Sequence, residues 1–388
     1  MMIIFGFYPE KKITFREQLD NCFAQLHAQL SALGCSNGCV LKQSIFINAA
    51  DNDDYTDKKA YATAAIDKYF LGAIPPVSIL GQPPSNGVDV AMEVILALPS
   101  DDYKVHYKIY DDVTYALVES ESATELYAAG MTGDDLHTDT RAIAQMAFKK
   151  MLGILTREGM SLGDIVYQWN YIENIIQCSG SDQVQQNYQL FNDVRSMHYA
   201  NANFRNSYPA ATGIGMHTGG VILDCIAVRE TTDVAIVPLT NSRQVDAYQY
   251  SPKVLVGTPA QGFAHCTTPK FERGKYVAVN GFERMYVSGT AAIVGENSTS
   301  PTSIEEQAVV TIENMYNVIT ADSLKINGIA NDRTARFTYV RGYVKCPDDV
   351  TVVQQICKKY FGDISILLLI SDVCRVNLLV ELEGVAEF

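Results

Sequence analysis

The sequence predicts an α+β fold assembled from three tandem units, each a mixed sheet covered by two helices. Three observations lead there. Amphipathic helical stretches alternate with β-rich runs; the order strand–helix–strand–helix–strand–strand recurs over roughly 100–125 residues per copy; and 388 residues, 47% apolar and 19% charged, supply ample core for that repetition. The units are placed at 1–99, 100–229 and 275–388, with 230–274 as an ordered connection. Its Pro238, Pro252, Pro259 and Pro269 stand among Tyr248, Tyr250 and Phe263, aromatic residues that a flexible linker would not need.

In the first unit Phe15, Leu19, Phe23, Leu26, Leu30 and Leu33 recur at helical spacing. Thr14-Phe15-Arg16-Glu17 opens that helix as a capping box, and Gly34 stands where a left-handed C-terminal cap belongs. A strand over Val40–Ile47, a helix from about Asp57 to Phe70, and β-rich runs at Val77–Gly81 and Val88–Leu98 complete it. In the second unit Ala142, Met146, Met151, Leu152 and Leu155 mark a helix ending near Gly159. Strand Ile165–Ile172, a polar helix from about Val184 to Asn203, the segment Tyr208–Gly215 and strand Val221–Val228 follow. The third begins at Met285–Thr290. Ser303-Ile304-Glu305-Glu306 caps a helix through Met315 and Val318; strand Phe337–Val344, helix Val350–Tyr360, run Ile364–Ile370 and a last strand Leu378–Ala386 close it.

Composition narrows function. The net charge of −14 and the lack of a Lys/Arg run disfavour nucleic acid as a partner. No apolar run approaches the ~20 residues that span a bilayer, so no membrane partner is expected. Nine scattered cysteines without a C-x-x-C pair suit reduced thiols, hence a cytoplasmic protein. Six histidines show no metal-ligand spacing and no P-loop occurs, so neither metal nor other cofactor is expected.

The copies resemble the Rid (YjgF, endoribonuclease L-PSP-like) superfamily, a chorismate mutase-like fold. The likeness rests on Gln18, Gly34, Pro75-Pro76 and Val90-Ala91-Met92-Glu93-Val94 in the first unit. In the third it rests on Tyr286-Val287-Ser288-Gly289, Gln307, Asn314 and Val380-Glu381-Leu382-Glu383-Gly384-Val385-Ala386. Since that family trimerises around sites between subunits, the resemblance implies an internal pseudo-trimer, and so a monomer or at most a weak oligomer. A further resemblance, to chorismatases, rests on Trp169-Asn170-Tyr171-Ile172, Phe191-Asn192 with Arg195, Tyr208–Gly215, Asn241–Tyr248, Val287–Gly295, Asp372-Val373-Cys374-Arg375 and Leu378-Leu379-Val380-Glu381. It departs at Glu296, where a histidine commonly follows the glycine.

That resemblance implies release of pyruvate from chorismate, giving a dihydroxycyclohexadiene carboxylate or a hydroxybenzoate. The enol ether must be protonated at its methylene carbon, and a carboxyl kept neutral by burial can do this. Aligned on the final strand, Ala91 and Ile222 stand where the third unit has Glu381, which is therefore the expected general acid; Glu383 shares its face and competes for the role. Cys374 is either a second catalytic group or a small buried residue. The dicarboxylate substrate calls for arginine forks: Arg195, Arg205, Arg341 between Tyr339 and Tyr343, and Arg375. Tyr208, Thr212, Gly213, Ser288, Gly289 and Thr290 are the remaining expected binding residues. Two other readings stay open: a Rid-type deaminase or hydrolase on another small carboxylate, which the missing fifth-strand arginine disfavours, and a catalytically silent ligand-binding protein.

Overall fold

The computed structural model describes residues 2–10, 14–133, 136, 138–179, 185–229, 231, 233–260, 262–299 and 303–388. Val184 and Glu230, boundary residues in the sequence reading, lie outside them. Three mixed sheets organise these residues. The first is made of β1 (Met2–Phe7), β2 (Val40–Ile47), β3 (Val77–Leu80) and β4 (Val90–Ala97), with α1 (Phe15–Ala32) and α2 (Asn52–Phe70) on one face. The second contains β5 (Tyr103–Tyr110), β6 (Val113–Ser120), β7 (Thr124–Thr132), β8 (Ile165–Glu173), β11 (Ala210–Met216) and β12 (Val221–Val228). Its helices are α3 (Thr140–Arg157) and α4 (Asn187–Tyr199); a small ladder, β9 (Cys178–Ser179) with β10 (Gln185–Gln186), precedes α4.

The third sheet runs through β13 (Ala235–Leu239), β14 (Gly274–Val279), β15 (Phe282–Ala291), β18 (Arg336–Val344), β19 (Ser365–Ile370) and β20 (Val380–Glu387). Helices α5 (Ile304–Ile319), α6 (Ala321–Ile326) and α7 (Val350–Phe361) cover it, and a hairpin of β16 (Ile293–Val294) and β17 (Asn297–Ser298) projects after β15. A common four-strand order recurs: β3-β2-β4-β1, β11-β8-β12-β7 and β19-β18-β20-β15. In each, one parallel pair (β2/β3, β8/β11, β18/β19) follows a helical crossover and the remaining pairings are antiparallel.

Every residue of β2, β4 and β12 is buried. Each sheet packs its helices on one face, with Leu19 and Leu26 on the first, Phe148 and Phe191 on the second, and Ile312 and Met315 on the third. The opposite faces of all three meet in one core that contains Phe46, Trp169, Tyr171, Tyr343 and Leu367. Strands covered on both sides read as continuous apolar runs rather than as an alternation, which is why their limits stand out in the sequence.

Local signals took the expected form. Thr14 and Glu17 make the reciprocal capping box, Ser303 Oγ accepts from Glu306 N–H, and Gly34 and Gly159 adopt φ of +65° and +66°. Two differences stand out. The β5–β6 hairpin extends the second sheet beyond the repeat. The 230–274 segment also does more than connect, because Ala235–Leu239 is the edge strand of the third sheet. Pro238 is accommodated there because an edge strand leaves one side of its backbone without ladder bonds.

Candidate active site

Glu381 is the second residue of β20, placed by register opposite Ala291 of β15 and Tyr343 of β18. Its side chain is 4% exposed, and among the described residues its carboxyl receives no hydrogen bond. Burial is the main force on its proton, the neighbouring Glu383 adds to it, and Arg273 opposes both; together they raise its pKa to about 8. Room for the carboxyl comes from Gly289. The β15–β20 register slips between Val287 and Thr290, and a Cβ built on Gly289 would overlap Glu381 Oε1.

Glu383 has the opposite environment. It accepts hydrogen bonds from Trp169 Nε1 at 3.0 Å, Tyr167 Oη at 2.8 Å, Arg341 Nε at 2.6 Å and Thr212 Oγ1. With its lone pairs occupied and a guanidinium against it, Glu383 is less available than Glu381 to deliver a proton.

A cavity of about 730 Å³, its open mouth included, reaches Glu381. Its walls come from α4 (Tyr188, Gln189, Asn192), from β11 (Ala211, Gly213), from the segment carrying Tyr250, Val254, Leu255 and Val256, and from Phe271, Arg273, Cys374 and Arg375. Gly213 packs closely under Tyr188: a Cβ there would stand 3.0 Å from the ring and press on it. Arg273 is buried, donates to Tyr250 Oη at 2.7 Å, and keeps its Nε without a partner among the described residues. Arg375 donates to Glu296 O at 2.9 Å and Ser298 Oγ at 3.2 Å. An acid kept neutral by burial, with two guanidiniums on the same wall, suits an anionic substrate that must be protonated.

Other expected residues support this cavity from behind. Thr212 Oγ1 donates to Glu383 and accepts from Gly289 N–H at 3.0 Å, tying β11 to the slipped segment of β15. Ser288 Oγ accepts from Ala211 N–H at 2.9 Å and donates to Glu272 O at 2.6 Å; Thr290 Oγ1 donates to Ser288 O at 2.6 Å. Arg195 is buried behind Asn192, to which its Nη2 donates at 2.5 Å, and its Nε has no partner among the described residues. Tyr208 stacks in an aromatic group with Tyr199, Phe204 and Tyr248 without lining the cavity.

Four expectations need correction. Arg341 does not face substrate: it is wholly buried, with Nη1 at 3.0 Å from Glu93 Oε1 and its other nitrogens on Glu383. Tyr339 donates to Glu93 at 2.5 Å in the same interior network. Arg205 lies in a separate depression with Ser161, Asp164 and Asn203. Cys374 does line the cavity, but burial pushes its thiol up to about 12, so the thiolate that nucleophilic attack needs is not formed near neutral pH. The residues missed were Arg273, Tyr188 and Tyr250. Arg273 directly precedes β14, which begins at the last residue of the 230–274 connection, and a strand assignment there would have shown an arginine at its start.

Among the described residues no group of three or more His, Cys, Asp or Glu side chains could hold a metal ion, and no helix is long and apolar enough to cross a membrane.

Residues 102–227 match the family model "Chorismatase FkbO/Hyg5-like, N-terminal". A 3-hydroxybenzoate synthase of Streptomyces hygroscopicus is 31% identical over 246 residues, which is 62% of this chain and 67% of that protein. A chorismatase of Streptomyces rapamycinicus is 32% identical over 181 residues, 46% of this chain and 50% of that protein. The crystal structure of a chorismatase superposes with a TM-score of 0.67 over 99% of this chain and 98% of that one, at 19% identity, and so speaks for the fold. With two thirds of the 3-hydroxybenzoate synthase matched at that identity, the chain belongs to the chorismatase family.

Proposed function

We propose that this protein cleaves chorismate without a cofactor, releasing pyruvate, with Glu381 as the general acid. The observation that supports this most directly is a carboxyl without hydrogen bonds among the described residues, kept protonated to about pH 8, in a cavity shared with Arg273 and Arg375. Chorismate is a dianion, and fork-shaped guanidiniums suit its carboxylates. Glu381 gives its proton to the terminal methylene of the enolpyruvyl ether, leaving an oxocarbenium centre. Water adds to that carbon and returns a proton to the Glu381 carboxylate; the hemiketal collapses to pyruvate and the ring alcohol. The product is then a dihydroxycyclohexadiene carboxylate, or, where the ring loses water and aromatises, a hydroxybenzoate. Burial strengthens every charge interaction in this sequence relative to water.

The units at 1–99, 100–229 and 275–388, the last sharing its sheet with β13 of the 230–274 segment, form an internal pseudo-trimer with one working site in this proposal. Only the last unit has a carboxyl at the Glu381 position; Ala91 and Ile222 occupy it in β4 and β12.

The test is release of pyruvate on mixing with chorismate, followed through lactate dehydrogenase. Wild type is expected to produce one pyruvate per chorismate, and Glu381→Gln to lose at least about a hundredfold in rate, the usual worth of a general acid. No pyruvate from the wild type, or full activity in Glu381→Gln, overturns the reading.

A further inference from the structure

Seven residues, 250–256, form a strap along the cavity, and Tyr250, Val254, Leu255 and Val256 are part of its wall. The strap has little to hold it. Its one 3₁₀ turn, Pro252–Val254, is closed by backbone bonds of 3.3 and 3.4 Å, and Val256 remains 48% exposed. Among the described residues, its short bonds are at its root. Ser251 N–H donates to Glu296 Oε2 at 2.7 Å and Ser251 Oγ donates to Glu296 Oε1 at 2.6 Å, so both carboxylate oxygens grip one residue. Glu296 itself is fixed. It follows Gly295 (φ +62°) in the two-residue turn of the β16–β17 hairpin; Gly295 exchanges backbone bonds of 2.8 and 2.9 Å with Arg243 and Val245, and Arg375 donates to the Glu296 carbonyl.

Tyr250, next to the gripped serine, contacts both guanidiniums. Arg273 Cζ lies 5.6 Å and Arg375 Cζ 5.4 Å from its ring centroid, and Arg273 also donates to its hydroxyl. We propose that Glu296 is a positioning residue: it latches the 250–256 strap over the cavity and thereby holds Tyr250 where it spaces Arg273 and Arg375 for a dianionic substrate. This deepens the reading of the cavity as a chorismate site and rests on it. Hydrogen bonding from Ser251 holds the Glu296 pKa below the usual carboxylate value, so the latch is closed at neutral pH. Glutamine keeps a single acceptor oxygen and offers a partial grip, whereas alanine offers none.

Two measurements on the full chain decide the matter. The first is KM and kcat for chorismate; Glu296→Ala is expected to raise KM roughly tenfold with kcat changed by less than threefold, and Glu296→Gln to recover most of the loss. The second is limited chymotryptic cleavage at Leu255, expected to be several times faster in Glu296→Ala than in wild type. Cleavage at the wild-type rate overturns the latch; faster cleavage with unchanged KM overturns its role in binding. If wild type released no pyruvate, the chorismate reading would fall while the cleavage rate would still decide whether Glu296 holds the strap.

Discussion

Glu381 and Glu383 stand two residues apart on one face of β20, yet their surroundings divide the work. Glu383 is wrapped by donors and a guanidinium; Glu381 is buried without a donor among the described residues. Two expected outcomes follow from the raised pKa of Glu381. In the proposed reaction Glu381 acts in its protonated form, so kcat/KM is expected to fall as pH rises through about 8, measured as initial pyruvate release between pH 6 and 10. The stability effect has a definite sign. The folded-state pKa lies above the unfolded one, so in the interval between them the folded protein binds more protons and loses stability as pH rises. Above that interval the fold contains a buried charge, at a cost approaching ~5 kcal/mol when fully ionised. Glu381→Gln lacks this titration, so its melting temperature relative to wild type is expected to rise with pH from 6 to 9; a pH-independent difference would show that Glu381 does not titrate in the fold. The sequence singles out the Glu381 position by local information: three final strands align, and only one has a glutamate there. It gave no sign of what sets Glu383 apart, since the donors that occupy Glu383 come from β8, β11 and β18.

At the scale of elements, β15 matters most to the site. Its slip beside β20 sets Ser288 on Ala211 and Glu272, sets Gly289 N–H on Thr212, and leaves the space that the Glu381 carboxyl enters. Gly289→Ala is therefore expected to fold, because its neighbours remain paired, while losing roughly ten- to a hundredfold in kcat as the carboxyl is pushed from its place; a variant with wild-type kcat would show that the close approach is not needed. Strands were legible where both faces are covered and turns punctuate the ends, so β2 over Val40–Ile47 and β12 over Val221–Val228 were read to the residue. The hairpin β5–β6 alternates cleanly, as in Tyr103-Lys104-Val105-His106-Tyr107, but it belongs to no repeat and was passed over. The start of α2 was read five residues late, because the run from Asn52 to Thr56 is polar and its cap, Asp51, sits in an acidic stretch that reads equally well as loop.

Across the whole molecule, the three sheets meet on a polar interior as well as an apolar one. Glu93, Asp224 and Glu383 occupy the same fourth position of β4, β12 and β20, and all are buried. Two cations serve them: Lys42 Nζ lies 2.8 Å from Asp224, and Arg341 bridges Glu93 of the first sheet and Glu383 of its own. The sequence showed Arg341 between Tyr339 and Tyr343 but gave no sign of what faced it, since Glu93 is 248 positions away. Residues of all three sheets share one core within the chain, and on the proposed pseudo-trimer a solution mass near 42.8 kDa is expected by light scattering; a stable trimer of full chains would contradict that proposal. The network also ties the first sheet to the second through Lys42 and Asp224, and to the third through Glu93 and Arg341. Arg341→Met removes a cation shared by two sheets and strands two buried carboxylates, which is expected to cost about 3–5 kcal/mol in urea unfolding. Neutralising both acids as well, in Glu93→Gln with Glu383→Gln and Arg341→Met, removes the uncompensated charge, so the triple variant is expected to be more stable than Arg341→Met alone. Were the triple variant the weaker, the stabilisation would lie in packing of the side chains and not in their charges, and the pairing of Arg341 would not be what holds the first sheet against the third.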